Sequence, residues 1–296
     1  MGLGDFFKNI FGKKICAFCG GECGIMHRAK LKDGNFICSK CDDGCSAYIR
    51  KSRFTKPELE EHLAYMKRSD RIYNEVILKS EARPLRLPSA SNRQAIEFYD
   101  SFGMFRICDP SRDGNDRYLT ELFRYDQVAS YEPYIEENEP TEDGQPKSFE
   151  EGGVIITLIG AESDNSNARD GGYAHPYITE PIKVCFATTE NEKDRHMIYV
   201  DNVIHHFDGI FGVHDSQKGL FSFGMSKQEK RDLKAQVAMV KTVMTAVKVA
   251  KDGEESLTEE KKEEFMQNMN AMDDARTGGL AEYSRRADAA EARVTN

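Results

Sequence analysis

Two closely spaced cysteine pairs constrain this chain more than anything else in it. Cys16-x-x-Cys19 and Cys38-x-x-Cys41 lie 18 residues apart, within the stretch CAFCGGECGIMHRAKLKDGNFICSKC. A C-x-x-C pair lets one tight turn present two sulfurs to one ion. Two such pairs at this separation match the ribbon pattern of a four-thiolate zinc site. Gly20, directly after Cys19, allows the close turn of a zinc knuckle, and Asp33-Gly34 between the pairs is a hairpin-turn signal. Four cysteine ligands fill a tetrahedron and leave no position for water, so the expected Zn2+ is structural and not a Lewis-acid catalyst. A module this short cannot bury enough core alone, so metal binding supplies much of its folding energy.

Three more residues of the stretch could ligate. Cys19-x-x-x-Cys23 and Cys41-x-x-x-Cys45 repeat one offset, and His27 lies between the pairs. Cys23, His27 and Cys45 are alternative ligands or a second metal site. The plainer reading is that the two cysteines are buried thiols, since a free cysteine behaves as a small hydrophobe, with a reversible Cys23–Cys45 disulfide as a minor alternative.

Six of the eight cysteines fall between Cys16 and Cys45, and no apolar stretch reaches the length of a membrane span. MGLGDFFKNIFGKK does not read as a signal peptide, so a reducing cytoplasmic compartment is expected. The net charge of −9 is unevenly spread: residues 1–56 hold eleven Lys and Arg against five Asp and Glu, whereas residues 101–215 hold nine against twenty-three. A basic head could meet a polyanion or an anionic lipid surface, and the acidic middle would be repelled by either. Arg28, Lys30, Lys32 and Lys40 with Phe18 and Phe36 supply the ingredients of a nucleic-acid ribbon, but the acidic neighbour argues against nucleic acid as the partner.

Along the chain the expected order is as follows. Residues 1–14 form an amphipathic helix, with Leu3, Phe6, Phe7, Ile10 and Phe11 within an arc of about 140°. That face either docks on the protein's own core or lies on a membrane, giving peripheral attachment. Residues 15–50 form the ribbon. Residues 56–100 are a helical connector and linker: 56–80 read as a helix with Pro57 at its first turn, and ARPLRLPSASNR reads as the linker. Residues 101–252 form a mostly β module, with MFRIC, YLTELFRY, VASYEPYI, VIITLIG, IKVCFAT and MIYVD as strands and 226–251 as a capping helix. Residues 253–296 are a charged helical or disordered tail. The fold class is α+β.

Two resemblances add to this reading. The pattern C-x-x-C-G, KLKDG, C-x-x-C after a Met-Gly, Phe-rich opening resembles a short N-terminal zinc-ribbon family of unknown function found in many Gram-positive bacterial proteins. It covers about residues 1–50 and places the metal ligands at Cys16, Cys19, Cys38 and Cys41. Cys23 stands where that family has an apolar residue, which implies a buried thiol. The segments ELFRYDQVASYEPYIEE, GGVIITLIG and PIKVCFATTENEKDRHMIYVD, with the helix at 226–251, are similar to bacterial pleckstrin-homology-like modules. That likeness implies a binding or scaffolding role and names no activity. The module here is acidic and lacks the basic loop of a phosphoinositide binder.

The remaining candidate for chemistry is YVDNVIHHFDGIFGVHD, which holds Asp201, His205, His206, Asp208, His214 and Asp215. A metal or acid–base site is one reading. The plainer one is polar residues at a strand-to-helix junction, because adjacent histidines diverge in either element and chelate one ion poorly. No Walker A, nucleophile elbow, dinucleotide fingerprint or H-E-x-x-H pattern is present, and no small-molecule substrate is evident. The sequence thus reads as a non-catalytic, zinc-binding adaptor or scaffold with an unidentified protein partner. Nucleic-acid association and an enzyme using the His205–His214 region are the alternatives.

Overall fold

The computed structural model describes residues 12–88, 93–139, 147–161, 172–212 and 279–294. The chain opens with two small hairpins. β1 (Lys14–Ile15) pairs antiparallel with β2 (Glu22–Cys23), and β3 (Arg28–Lys30) pairs with β4 (Phe36–Cys38), which runs into the one-turn helix α1 (Ser39–Asp42). The second hairpin turns at Asp33-Gly34, with Gly34 at φ +85° and Asp33 accepting from Asn35.

The next helix, α2 (Lys56–Arg71), starts where the sequence provides a start signal. Pro57 sits in its first turn and Glu58 Oε2 accepts from the Thr55 N–H at 2.7 Å. Asp33 of the ribbon hairpin accepts from the Lys56 N–H at 2.8 Å, so a carboxylate meets the positive end of the helix and ties ribbon to helix. Leu59, His62, Met66 and Ser69 form the buried face. The helix continues as a π-helical segment, Ile72–Ile77.

Two antiparallel sheets follow. β5 (Leu85–Leu87), β6 (Ala95–Tyr99), β7 (Met104–Cys108) and β8 (Phe123–Arg124) form a four-stranded sheet in that order. β9 (Val128–Asn138), β10 (Ser148–Leu158) and β11 (Ile182–Ala187) form a three-stranded sheet with β10 central. Helices α3 (Glu190–His196) and α4 (Ile198–Ile210) come next, and α5 spans 279–294.

One core joins these parts. Leu31, Ile37, Cys45 and Ile49 of the ribbon region lie in the same buried cluster as Leu59 of α2, Phe98, Phe105 and Phe123 of the first sheet, Ile156 and Phe186 of the second, and Val200, Val203 and Phe207 of α4. The ribbon is therefore packed on the sheets and is not a separate bead. A second cluster, built from Ile72, Val76, Met104 and Leu122, is covered by Ala287, Ala290 and Val294 of α5. Glu97 on β6 is the main buried charge of the first sheet. Burial raises its carboxyl, but Arg106, Tyr99 and Arg86 outweigh that and bring it to about 2.

Several expectations change. MIYVD is not a strand but the start of α4, because the apolar period runs on through Val200, Val203, Ile204, Phe207 and Ile210 at helical spacing. Of YLTELFRY only Phe123–Arg124 is strand. Upstream, α2 side chains satisfy the backbone: the Thr120 N–H donates to Asp70 Oδ1 and the Leu122 N–H to Ser69 Oγ. The stretch read as connector and linker contains β5 and β6, so the sheets begin at Leu85 rather than after residue 100. Of the two alternatives for the charged tail, helical or disordered, residues 279–294 take the helical one, and α5 is docked through three buried side chains. The expected helices at 1–14 and 226–251 fall, but for the last residues of the first, outside the described residues. Lys14 belongs to β1.

Candidate metal centre

The four cysteines of the two pairs converge. Cys16 follows β1, Cys19 lies in the turn before β2, Cys38 ends β4 and Cys41 sits in α1. Their sulfurs all lie within 4.8 Å of one another, and no other group of His, Cys, Asp and Glu among the described residues has this property. The Cys19 and Cys38 sulfurs are 3.7 Å apart. Tetrahedral thiolates at about 2.3 Å from one zinc ion would stand about 3.8 Å apart, so the spacing fits such an ion.

The local chain explains the convergence. The Gly20 N–H closes the first turn on the Cys16 carbonyl at 3.0 Å, with Gly20 at φ +71°, a conformation that favours glycine. The Ala17 N–H donates to the Phe36 carbonyl at 2.8 Å, which brings the first cysteine turn beside β4 and the second. The Cys38 N–H points at Cys16 Sγ at 3.4 Å. Burial pushes the Cys16 thiol up, but the N–H groups of Cys19, Cys38 and Phe18 outweigh it and bring the thiol down to about 6. Burial and the neighbouring thiols push Cys41 up, and burial likewise raises Cys38. Four such sulfurs become thiolates together only beside a cation, which is the chemistry a divalent metal supplies. With four sulfurs around it the ion has no open position, so the site can hold structure and cannot activate water.

The other ligand candidates lie outside the group. Cys23 is buried and its Sγ contacts the Lys14 carbonyl at 3.3 Å. Cys45 is in the main core, and burial pushes its thiol up to about 12. His27 is exposed in the 3-10 turn Ile25–His27. None of the eight cysteines is in a disulfide, so Cys23 and Cys45 are not joined. The membrane-face candidates Leu3, Phe6, Phe7, Ile10 and Phe11 lie outside the described residues, as do His214 and Asp215. Asp201, His205, His206 and Asp208 all sit on α4 and do not converge. His206 Nε2 bonds Asp100 at 3.1 Å, buried Asp208 accepts from the Tyr131 hydroxyl at 2.6 Å, and His205 is exposed.

Sequence reasoning passed over the residues that hold the ribbon to the rest. His62 Nε2 accepts the Ser46 N–H at 3.0 Å, and Arg112 donates to the Cys45 carbonyl at 3.0 Å. The one local signal was a histidine on the apolar face of α2.

Fold and centre together define an α+β protein with a zinc-ribbon-like, four-cysteine N-terminal module. Residues 14–62 match the family model described as a domain of unknown function (DUF4428). The match takes in the whole ribbon and the first turns of α2, a minor part of the chain. No curated protein matches the chain, and no solved structure does. Among the described residues no helix is long and apolar enough to cross a membrane.

Proposed function

We propose that this chain is a non-catalytic adaptor in which a structural zinc ion staples the ribbon to a pleckstrin-homology-like sheet module, and that the module binds a protein partner. The observation that carries the reading is the shared core. The metal fixes a ribbon whose Leu31, Ile37 and Ile49 pack with both sheets, so it sets the shape of the module rather than serving a separate reaction. A four-stranded sheet followed by a three-stranded sheet and the buried α4 helix supports the pleckstrin-homology-like assignment. The separate hydrogen bonds of His206 and Asp208 support a structural role for α4 over an acid–base one.

The charge pattern supports protein over nucleic acid. Arg50 and Arg53 pair with Glu180, Lys51 with Asp42, and Lys13 with Glu22. Phe36 already carries Lys14 and Arg28 against its ring, and half-buried Phe18 packs on the main core, so both rings are partly engaged within the protein. Cross-linking of the full chain in native extract tests the reading. Links from one protein are expected on residues 85–187, and they should vanish when Cys38→Ser and Cys41→Ser remove the staple. Links that survive loss of the metal, or turnover that depends on His205 or His206, would overturn it.

A peripheral membrane contact is a second reading. The ribbon exposes Ile15, Ile25 and Met26 close to Lys13 and Lys14, and the Leu3, Phe6, Phe7, Ile10, Phe11 stripe precedes them in sequence. The full chain is expected to co-sediment with vesicles containing phosphatidylserine at low salt, and a chain starting at Gly12 is expected to stay in the supernatant. Equal behaviour of the two chains removes this reading.

A further inference from the structure

A cleft of about 420 Å³ opens between the chain leaving the ribbon, α2 with its π-helical extension, β7 and the loop after β7. Its walls carry the carboxylates of Asp70, Asp109, Asp113, Asp116 and Glu121, against two arginines, Arg106 and Arg112. Both arginines are engaged. Arg106 donates to Glu97 at 2.7 Å and to Asp113 at 3.2 Å, and lies 4.9 Å over the Tyr73 ring. Arg112 donates to the Cys45 carbonyl at 3.0 Å and lies 4.5 Å over the Tyr118 ring. The cleft thus has surplus negative charge, and its walls already seat guanidinium groups on tyrosine faces.

Glu121 is the group that points to a ligand. Its Oε2 accepts from the Ser46 hydroxyl at 2.6 Å, while Oε1 is shut off from solvent and has no hydrogen-bond partner. A buried carboxyl oxygen left unpaired is costly, and since Glu121 lines the cleft, a turn of its side chain toward a donor there would relieve that cost. We propose that this cleft binds an organic cation, a guanidinium or primary ammonium on an alkyl stem, with its charged head on Glu121 and its stem along the tyrosine-lined wall. A metal ion is the other cation an acidic cleft could take. The carboxylates here do not gather around one point, since only the four cysteines do so among the described residues. The volume also suits a molecule rather than an ion. The inference is independent of the adaptor reading, because a free amine and a side chain of a bound protein carry the same head group.

Protonation of Glu121 gives the site a signature. Burial pushes its carboxyl up to about 7, against the Ser46 hydrogen bond and the charge of Arg112. Around it stand Cys45 and Tyr48 from the ribbon side, Tyr65 of α2 and Arg112 of the loop, with His62 bonded behind Ser46. Burial holds the Cys45 thiol at about 12 and His62 at about 4 and raises both tyrosines, so these groups keep their charge around neutrality. A cation prefers the ionised carboxyl. Affinity should therefore level off above about pH 7 and fall below it, approaching tenfold per pH unit.

The test is calorimetric titration of the zinc-loaded full chain with butylguanidine and with its uncharged isostere butylurea. Butylguanidine is expected to bind at least about tenfold more tightly. Glu121→Gln should weaken it at least about tenfold and flatten its pH profile. Asp116→Asn, on the exposed rim, should weaken it a few-fold and serves if Glu121→Gln fails to fold. A blocked Ala-Arg-Ala peptide beside its citrulline counterpart separates the sources. Tighter binding of the arginine peptide than of butylguanidine assigns the site to a protein side chain, and the reverse assigns it to a free amine. Equal binding of guanidine and urea, no binding of either cation, unchanged binding by folded Glu121→Gln, or displacement by Mg2+ or Ca2+ would overturn the proposal.

Discussion

Removing the metal with a chelator is expected to release one zinc ion per chain and to unfold the ribbon from Cys16 to Phe54, with loosening of the first turns of α2. The ribbon's regular structure consists of strands two or three residues long, one turn of α-helix and two 3-10 turns. Such elements have no independent stability in water. A structural zinc site contributes on the order of 10–16 kcal/mol of apparent binding energy in isolated peptides, which is as large as the whole stability of an ordinary domain. Because Leu31, Ile37 and Ile49 share the main core with Leu59 and Phe123, loss of the ribbon uncovers apolar surface on α2 and the first sheet. Hydrogen exchange before and after chelation would map the loss. Cys38→Ser and Cys41→Ser should reproduce the chelated pattern. Cys23→Ser should keep its full zinc content, because Cys23 lies outside the sulfur cluster. Ribbon amides that stay protected after complete zinc release would show that packing, and not the metal, holds this module.

What could be read from the sequence depended on how local the cause was. The metal group was legible because its ligands come in pairs three residues apart, and Gly20 and Asp33-Gly34 mark the turns that bring the pairs together. β7, β9, β10 and β11 were legible as apolar runs between turn signals. β5 was not, because Pro84 and Pro88 flank three residues and make them look like a linker, as edge strands often do. The residues before β8 were misread because their backbone donors end on Asp70 and Ser69, about fifty positions away. Glu121 had no sequence signal at all. Its environment is made by Ser46, which lies 75 residues upstream, and by a cleft that exists only once ribbon, helix and sheet have docked. Local chemistry was therefore visible early, while every site that needs long-range packing waited for the fold.

Gly103→Ala should release α5. Gly103 follows the 3-10 turn Asp100–Phe102 at φ +62° and leads into β7. A Cβ there would lie 2.0 Å from the Tyr283 carbonyl oxygen and 2.7 Å from its carbon, and backbone atoms cannot rotate away as a flexible side-chain tip can. The left-handed conformation costs a non-glycine residue about 1–2 kcal/mol, and overpacking of this kind adds about 1–3 kcal/mol. The helix has several ties: Arg124 to Asp288 at 2.7 Å and to Glu291 at 3.1 Å, Arg68 to Glu291 at 2.7 Å, and Arg286 to the Asp100 carbonyl at 3.1 Å. Most of these are partly solvated pairs of small individual worth, so the clash wins. A penalty of about 3 kcal/mol corresponds to about a hundredfold faster exchange of the amides in 279–294. Ile72, Val76, Met104 and Leu122 should then lose their cover and protease cuts near α5 should appear. Gly34→Ala is the matching control: Gly34 sits at φ +85° with nothing within 4 Å of a new Cβ, so it should show the backbone penalty and leave α5 protected. Protection of 279–294 that is equal in the two variants would mean that the helix is not seated against Gly103.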